Sequence, residues 1–400
     1  MTSQKRENEA FFTVMFSDDI WKEFRKHMYP GKKTGNWYTW NGNGTTAAYY
    51  GYLSMMKERK HLVYTKEAAG YAGALGDLEM LKWFHYNNIN CFSSIPMDYA
   101  AAGGHLDVVE FLHNNRTEGC TTWAMNRAAA KGHLKVVKFL HHNRKEGCTF
   151  HAIDGASERG YFKVVEWLVK NRNEGCTTDA MDNAARFGSL DVVKFLHNNG
   201  KRCTLCSMDY AAGNGHLEIV KWLHYNRNEG CTREAMDHAA KNGHLKVVKW
   251  LHYNRNEGCT NGAMDYAIMN QHLDILEFLH KNRTEGCTHG AVDYSAMMGH
   301  LDTLKWVHKN RREGCSTKAM DLAAHGGHLD VVKFLHENRT EGCTPNAMDF
   351  ASMQGHLEVV KFLHKNRTEG CTSKALSYAQ SLGHLGVAAW LRENVKMFMV

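Results

Sequence analysis

The sequence predicts an all-α solenoid of stacked helix-turn-helix units, on three observations: a fixed period, a one-sided apolar stripe within it, and a glycine turn between two short helices. The period is read from the glycine that opens each GHL-like triplet. It stands at Gly76, Gly104, Gly132, Gly160, Gly188, Gly215, Gly243, Gly299, Gly327, Gly355 and Gly383, with Gln271 in the remaining slot. Successive slots lie 28 residues apart, except Gly188 and Gly215, which are 27 apart. A unit this short cannot bury its apolar face alone, so it must stack on its neighbours.

Taken in order, residues 1–43 lie outside the repeat. Within them FSDDIWKEFRKHM (16–28) predicts an amphipathic helix opened by a Ser/Asp cap. It is expected to act as a helical cap over the apolar end of the stack, which open arrays need. The same residues resemble the first helix of an F-box, with its pattern L-P-x-E-I-x-x-x-I-F-x-x-L, and that resemblance implies an adaptor segment instead. The repeat array is expected over residues 44–400. Its opening, AAYYGYLSMMK (47–57), reads as a degenerate first unit.

The stretch AMDHAAKNGHLKVVKWLHYNRNEGCT (235–260) shows the unit in full. Residues 235–240 are Ala-rich and free of Gly and Pro, and Thr232 ahead of them can accept a backbone N–H, which predicts the first helix. The segment around Gly243 predicts a turn, because Gly adopts the positive φ that ends a helix. Leu245, Val247, Val248 and Leu251 form a stripe with Lys246 and Lys249 left for solvent, which predicts the second helix. At Gln271, strain or a changed turn is expected.

These words resemble the ankyrin repeat. The family pattern T-P-L-H-x-A-A-x-x-G-H-L-E-V-V-K-x-L-L aligns with residues 234–252, with Met236 at the Leu position and Asp237 at the His position. The period is shorter than the family's ~33 residues. The deficit falls in residues 253–259, where an ankyrin repeat carries its projecting hairpin finger, and a connection this short can join helices but hardly form that finger.

With 43% hydrophobic residues the chain can bury a sizeable core, and its net charge of +7 comes from 49 basic and 42 acidic residues interleaved in every unit. That pattern reads as a solvated surface, so no nucleic-acid partner is expected. No apolar run reaches 18 residues and the N-terminus has no signal-peptide core, so the expectation is an intracellular protein with no membrane partner.

Ten of the twelve cysteines recur once per unit, and Cys203 and Cys206 are the only close pair. Stacked helices sit about 8–10 Å apart. That is too far for a disulfide or a shared zinc ion, so small buried thiols are expected. The histidines typified by His244 and His252 recur likewise, the first in the turn and the second near a helix end, where a cation suits the dipole. Aspartates such as Asp209, Asp237 and Asp265 form a third ladder. Residues repeated in every unit serve the unit, so no catalytic, cofactor or metal site is expected.

What differs between units is the pair of residues before each turn glycine. These include Lys131, Glu158 and Arg159, Arg186 and Phe187, Lys241 and Asn242, Met269 and Asn270, Met297 and Met298, and Met353 and Gln354. In ankyrin proteins this end of the first helix lines the groove, so the resemblance implies that these residues face a partner. Arg and aromatic residues are common hot spots, and Met suits adaptable apolar surfaces. The expectation is a monomeric, non-catalytic protein-interaction scaffold. The alternative is a substrate-receptor subunit of a ubiquitin ligase, joining the array to an F-box-like N-terminus.

Overall fold

The computed structural model describes residues 43–59 and 61–396. Among the described residues there are 26 α-helices and no strand. The helix expected over residues 16–28, with its cap or adaptor role, lies outside the described residues. Two compact units meet in sequence between Ser93 and Ser94.

In the first unit, helices Gly44–Tyr49 and Leu53–Glu58 are joined at Gly51, whose φ is +72°. The degenerate unit read from residues 47–57 thus has the same helix-turn-helix plan as the rest. Ala47, Ala48, Met55 and Met56 are buried where the other units place Ala-Ala and Val-Val. A second pair follows, Glu67–Leu75 and Leu78–Tyr86. Asp77 caps its second helix by accepting the Met80 N–H at 2.9 Å, and the buried Phe84 meets Tyr64 edge-on.

The second unit repeats one plan from Ile95–Gly103 with Leu106–Asn115 to Ser373–Ser381 with Leu385–Asn394. The pair Glu234–Lys241 and Leu245–Asn254 shows how the residues dictate it. Ala239 and Ala240 are wholly buried, and such small side chains let first helices of successive pairs pack closely along their length. On the second helix Val247, Val248 and Leu251 are buried and Leu245 half-buried, as the stripe predicts, and second helices of successive pairs touch at fewer points.

The turn between the two is a Schellman closure. His244 N–H donates to the Ala239 carbonyl at 2.9 Å and Gly243 N–H to the Ala240 carbonyl at 3.4 Å, with Gly243 at φ +80°. A Cβ on Gly243 would lie 2.9 Å from the His272 ring of the next pair, so the position requires both the left-handed backbone and the missing side chain. Gln271 keeps the same turn at φ +60°, so the strained alternative is the one realised.

Between pairs the chain makes a short bracket instead of a finger. Arg255 leaves the second helix extended, and its guanidinium holds Glu257 through two hydrogen bonds, while Gly258 turns the chain at φ +74°. Arg255 Nη1 also lies 3.3 Å from His224 Nδ1 of the preceding pair. In an equivalent bracket Glu146 reaches back to accept the Cys120 N–H at 3.1 Å. Brackets of this kind therefore tie a pair to the one before it.

The aspartate ladder is the other tie. Asp237 accepts the Thr260 N–H at 2.9 Å through Oδ1 and the Thr260 hydroxyl at 2.6 Å through Oδ2. Thr260 Oγ1 in turn accepts the Gly262 N–H at 2.9 Å and so caps the next first helix. Thr232 does the same for Glu234 N–H at 3.1 Å, the capping expected of it. All twelve thiols are free, eight of them buried, as the spacing argument requires.

Candidate partner-binding face

The first helix of each pair has its buried face fixed by Met-Asp and Ala-Ala, which leaves its last residue and the following cap residue pointing away from the core. Glu158, Arg186, Lys241, Met269, Met297 and Met353 are the last helical residues. Lys131, Arg159, Phe187, Asn242, Asn270, Met298 and Gln354 are the caps. Arg159, Arg186, Lys241 and Gln354 are exposed, as are Phe187 at 53% and Met298 at 47%; Lys131, Glu158, Met269, Met297 and Met353 are half-buried.

Their local partners sort them further. Asn242 donates to the Gly213 carbonyl of the preceding pair at 2.6 Å and Asn270 to the Tyr266 carbonyl of its own helix at 2.8 Å, so both amides are engaged within the stack. The Arg186 guanidinium lies 5.4 Å from the centroid of Phe187 and 5.2 Å from that of Tyr210, and Lys241 Nζ lies 5.3 Å from that of Tyr266. Such cation–ring contacts orient the charge without neutralising it. Gln354 Nε2 lies 3.1 Å from His325 Nε2. His325 occupies the slot between Met297 and Met353, so the apolar group is not a continuous methionine row.

The contacts point to a further variable position on the first helices. Tyr210, Tyr266, Tyr294, Phe350 and Tyr378 follow the ladder aspartate or its equivalent, three residues before the end of the first helix. Residues three apart share a helix face, so these rings stand beside the variable pairs. Tyr210 is 36% and Tyr294 37% exposed. The signal was present in sequence, since the residue after the aspartate varies from Tyr to Asn, His and Leu.

The second helices present a different pattern. His224 sets its ring edge-on to Trp250 of the next pair at 5.1 Å, and His252 to Phe278 at 5.3 Å. Burial, and then Arg283 of the next pair, lowers the pKa of His252 below the ordinary histidine value; burial and Arg172 do the same to His141. At His252 and His141 burial thus works against the cationic role expected at the helix dipole, and the rings serve as packing between pairs. Among the described residues no group of three or more His, Cys, Asp or Glu is placed to hold a metal ion, and no helix is long and apolar enough to cross a membrane.

Comparison with protein families comes to the same arrangement. A model described as ankyrin repeats (3 copies) matches residues 208–289. One described as ankyrin repeats (many copies) matches 69–113, 97–141, 150–197, 292–336 and 320–364. No curated protein matches the chain.

Proposed function

Because the chain belongs to the ankyrin repeat family, whose repeats are protein-interaction modules, we propose that it is a non-catalytic scaffold holding a protein partner along the face formed by the ends of its first helices. One observation carries this reading. The polar groups that recur through most pairs are spent on the stack itself, in bonds such as Asp237 with Thr260 and Arg255 with Glu257, whereas the side chains flanking the turn glycines change from pair to pair and lie together at the ends of the first helices. Arg186, Phe187 and Met298 are exposed there, and Arg, aromatic and Met side chains are the ones that carry interface energy. On the same reading the chain is a monomeric intracellular protein without affinity for nucleic acid, supported by charges of both signs interleaved in each unit.

The test compares three full-length chains as affinity baits: the wild type, one with Met297, Met298 and Met353 all replaced by Ser, and one with the exposed second-helix residues Lys194 and Lys246 replaced by Glu. Proteins retained by the wild type and the lysine variant but lost by the methionine variant support the first-helix face. The reverse pattern moves the interface to the second helices. The ubiquitin-ligase alternative rests on residues 16–28, and recovery of ligase subunits that disappears when residues 1–43 are deleted would favour it.

A further inference from the structure

We propose that the first-helix face of the second unit binds a single extended protein segment in two parts, with carboxylate side chains at one end and large apolar side chains at the other. The inference rests on the scaffold reading above and adds the chemistry of the partner.

The charge distribution along the face carries it. Three positions per pair face outward together: the residue after the ladder aspartate or its equivalent, the last helical residue and the cap. From residue 127 to residue 242 these positions hold Arg127, Lys131, Arg159, Arg186 and Lys241 against the single acid Glu158. From Tyr266 to Leu382 the same positions hold no Asp, Glu, Lys or Arg in any pair. Their large side chains are Tyr266, Tyr294, Met297, Met298, Phe350 and Met353 among others. At these three positions charge thus changes from strongly positive to none along one unit, with Asp179, Glu234, Lys318 and Lys374 the exposed charges one turn earlier on the same helices.

These cations are also held differently from the arginines of the brackets. Bracket arginines such as Arg255, Arg283 and Arg311 are matched to a glutamate two residues on. Arg186 and Lys241 instead rest on the faces of Tyr210 and Tyr266, which fixes them in place while leaving their charge for an incoming carboxylate. Burying the apolar half against a charged ligand would strand that charge, so one end of the face rejects what the other end selects.

Geometry sets the spacing of the ligand. Successive rungs lie about 8–10 Å apart. An extended chain advances about 3.3 Å per residue, so anchors fall about every third residue, and the five rungs from Tyr266 to Tyr378 engage about 12 residues.

The experiment selects peptides from a displayed library of random 24-residue sequences against the full-length chain, then measures affinities of synthetic versions of those enriched. The expected peptides carry Asp or Glu toward one end and Leu, Ile, Phe or Met about every third residue toward the other. Arg186→Glu with Lys241→Glu, and separately Met297→Ser with Met298→Ser, should each weaken binding at least about tenfold. Far-ultraviolet circular dichroism and melting temperature check that each variant folds. Peptides sensitive to the methionine changes but lacking the acidic end would overturn this inference and leave the scaffold reading standing. Peptides insensitive to both pairs of changes would overturn both. Absence of enrichment, or tighter binding of a single-stranded oligonucleotide to the same cations, also counts against the two-part segment.

Discussion

Asn126 and Thr149 hold each other by two hydrogen bonds, Thr149 N–H to Asn126 Oδ1 at 2.9 Å and Asn126 Nδ2 to Thr149 Oγ1 at 2.9 Å. The neighbouring rung does the same work with a carboxylate. Asp98 accepts the Thr121 N–H at 2.7 Å and the Thr121 hydroxyl at 3.0 Å. One rung of the ladder therefore shows that the bond pattern needs no charge.

That comparison predicts the effect of Asp98→Asn. Burial pushes the Asp98 carboxyl up from 3.8 to about 6, against the lowering effect of its Thr121 bonds. A carboxyl raised in the fold keeps its proton longer in the native state, so its contribution is largest below about pH 4 and is lost as pH rises through 6. Asp98→Asn should leave stability at pH 7 unchanged or raise it by about 1 kcal/mol, and should flatten the pH 4–6 dependence of the melting temperature. A loss of several kcal/mol at pH 7 would mean that the rung requires ionised oxygen.

The brackets act with the opposite sign at lower pH. Hydrogen bonding to Arg172 holds Glu174 down from 4.5 to about 2, and Arg367 does the same for Glu369. A carboxyl depressed in the fold stabilises above its unfolded value and loses that contribution as pH falls through its folded one, here between about 4.5 and 2. Glu174→Gln should cost about 1 kcal/mol or less at pH 7, because the pair is partly exposed, and should cost nothing near pH 2. Urea midpoints at the two pH values measure the difference.

Gln271 stands in the left-handed region at φ +60°, where every neighbouring unit has glycine. Gln271→Gly should raise stability by about 1 kcal/mol through relief of that strain. The converse change, Gly243→Ala, should destabilise by more, since its Cβ also meets the His272 ring at 2.9 Å. Matched thermal melts of the two variants decide whether the backbone or the ring contact dominates.

Thiol chemistry tests the cysteine ladder. Burial raises Cys120, Cys231, Cys259 and Cys287 to about 12, so little thiolate forms at pH 8. Titration with a disulfide reagent should find twelve thiols in denaturant and far fewer reacting quickly in the native protein. Cys120 is the informative case, because it is only half-buried and should still react slowly. Rapid reaction of the whole ladder would contradict the packing.

What the sequence determined by itself was everything set within one period. The apolar stripe Val247, Val248 and Leu251, the glycine turn at Gly243 and the capping Thr232 are local in chain distance, so spacing and backbone sterics suffice to read them. The same holds for the residues flanking the turns, which were legible as variable even before their exposure was known. The tertiary structure alone decided what lies between periods. Asp237 finds Thr260 in the next pair, Arg255 finds His224 in the previous one, and His272 covers Gly243; each contact depends on how two units are offset, and a repeated letter carries no information about that offset. The variation that places Tyr210 and Tyr266 beside the variable pairs is legible in sequence, but their pairing with cations is not, for the same reason. Tyr266 receives Lys241 from the preceding pair, and a cation meets a ring across units only when the first helices have closed on one another through their alanines.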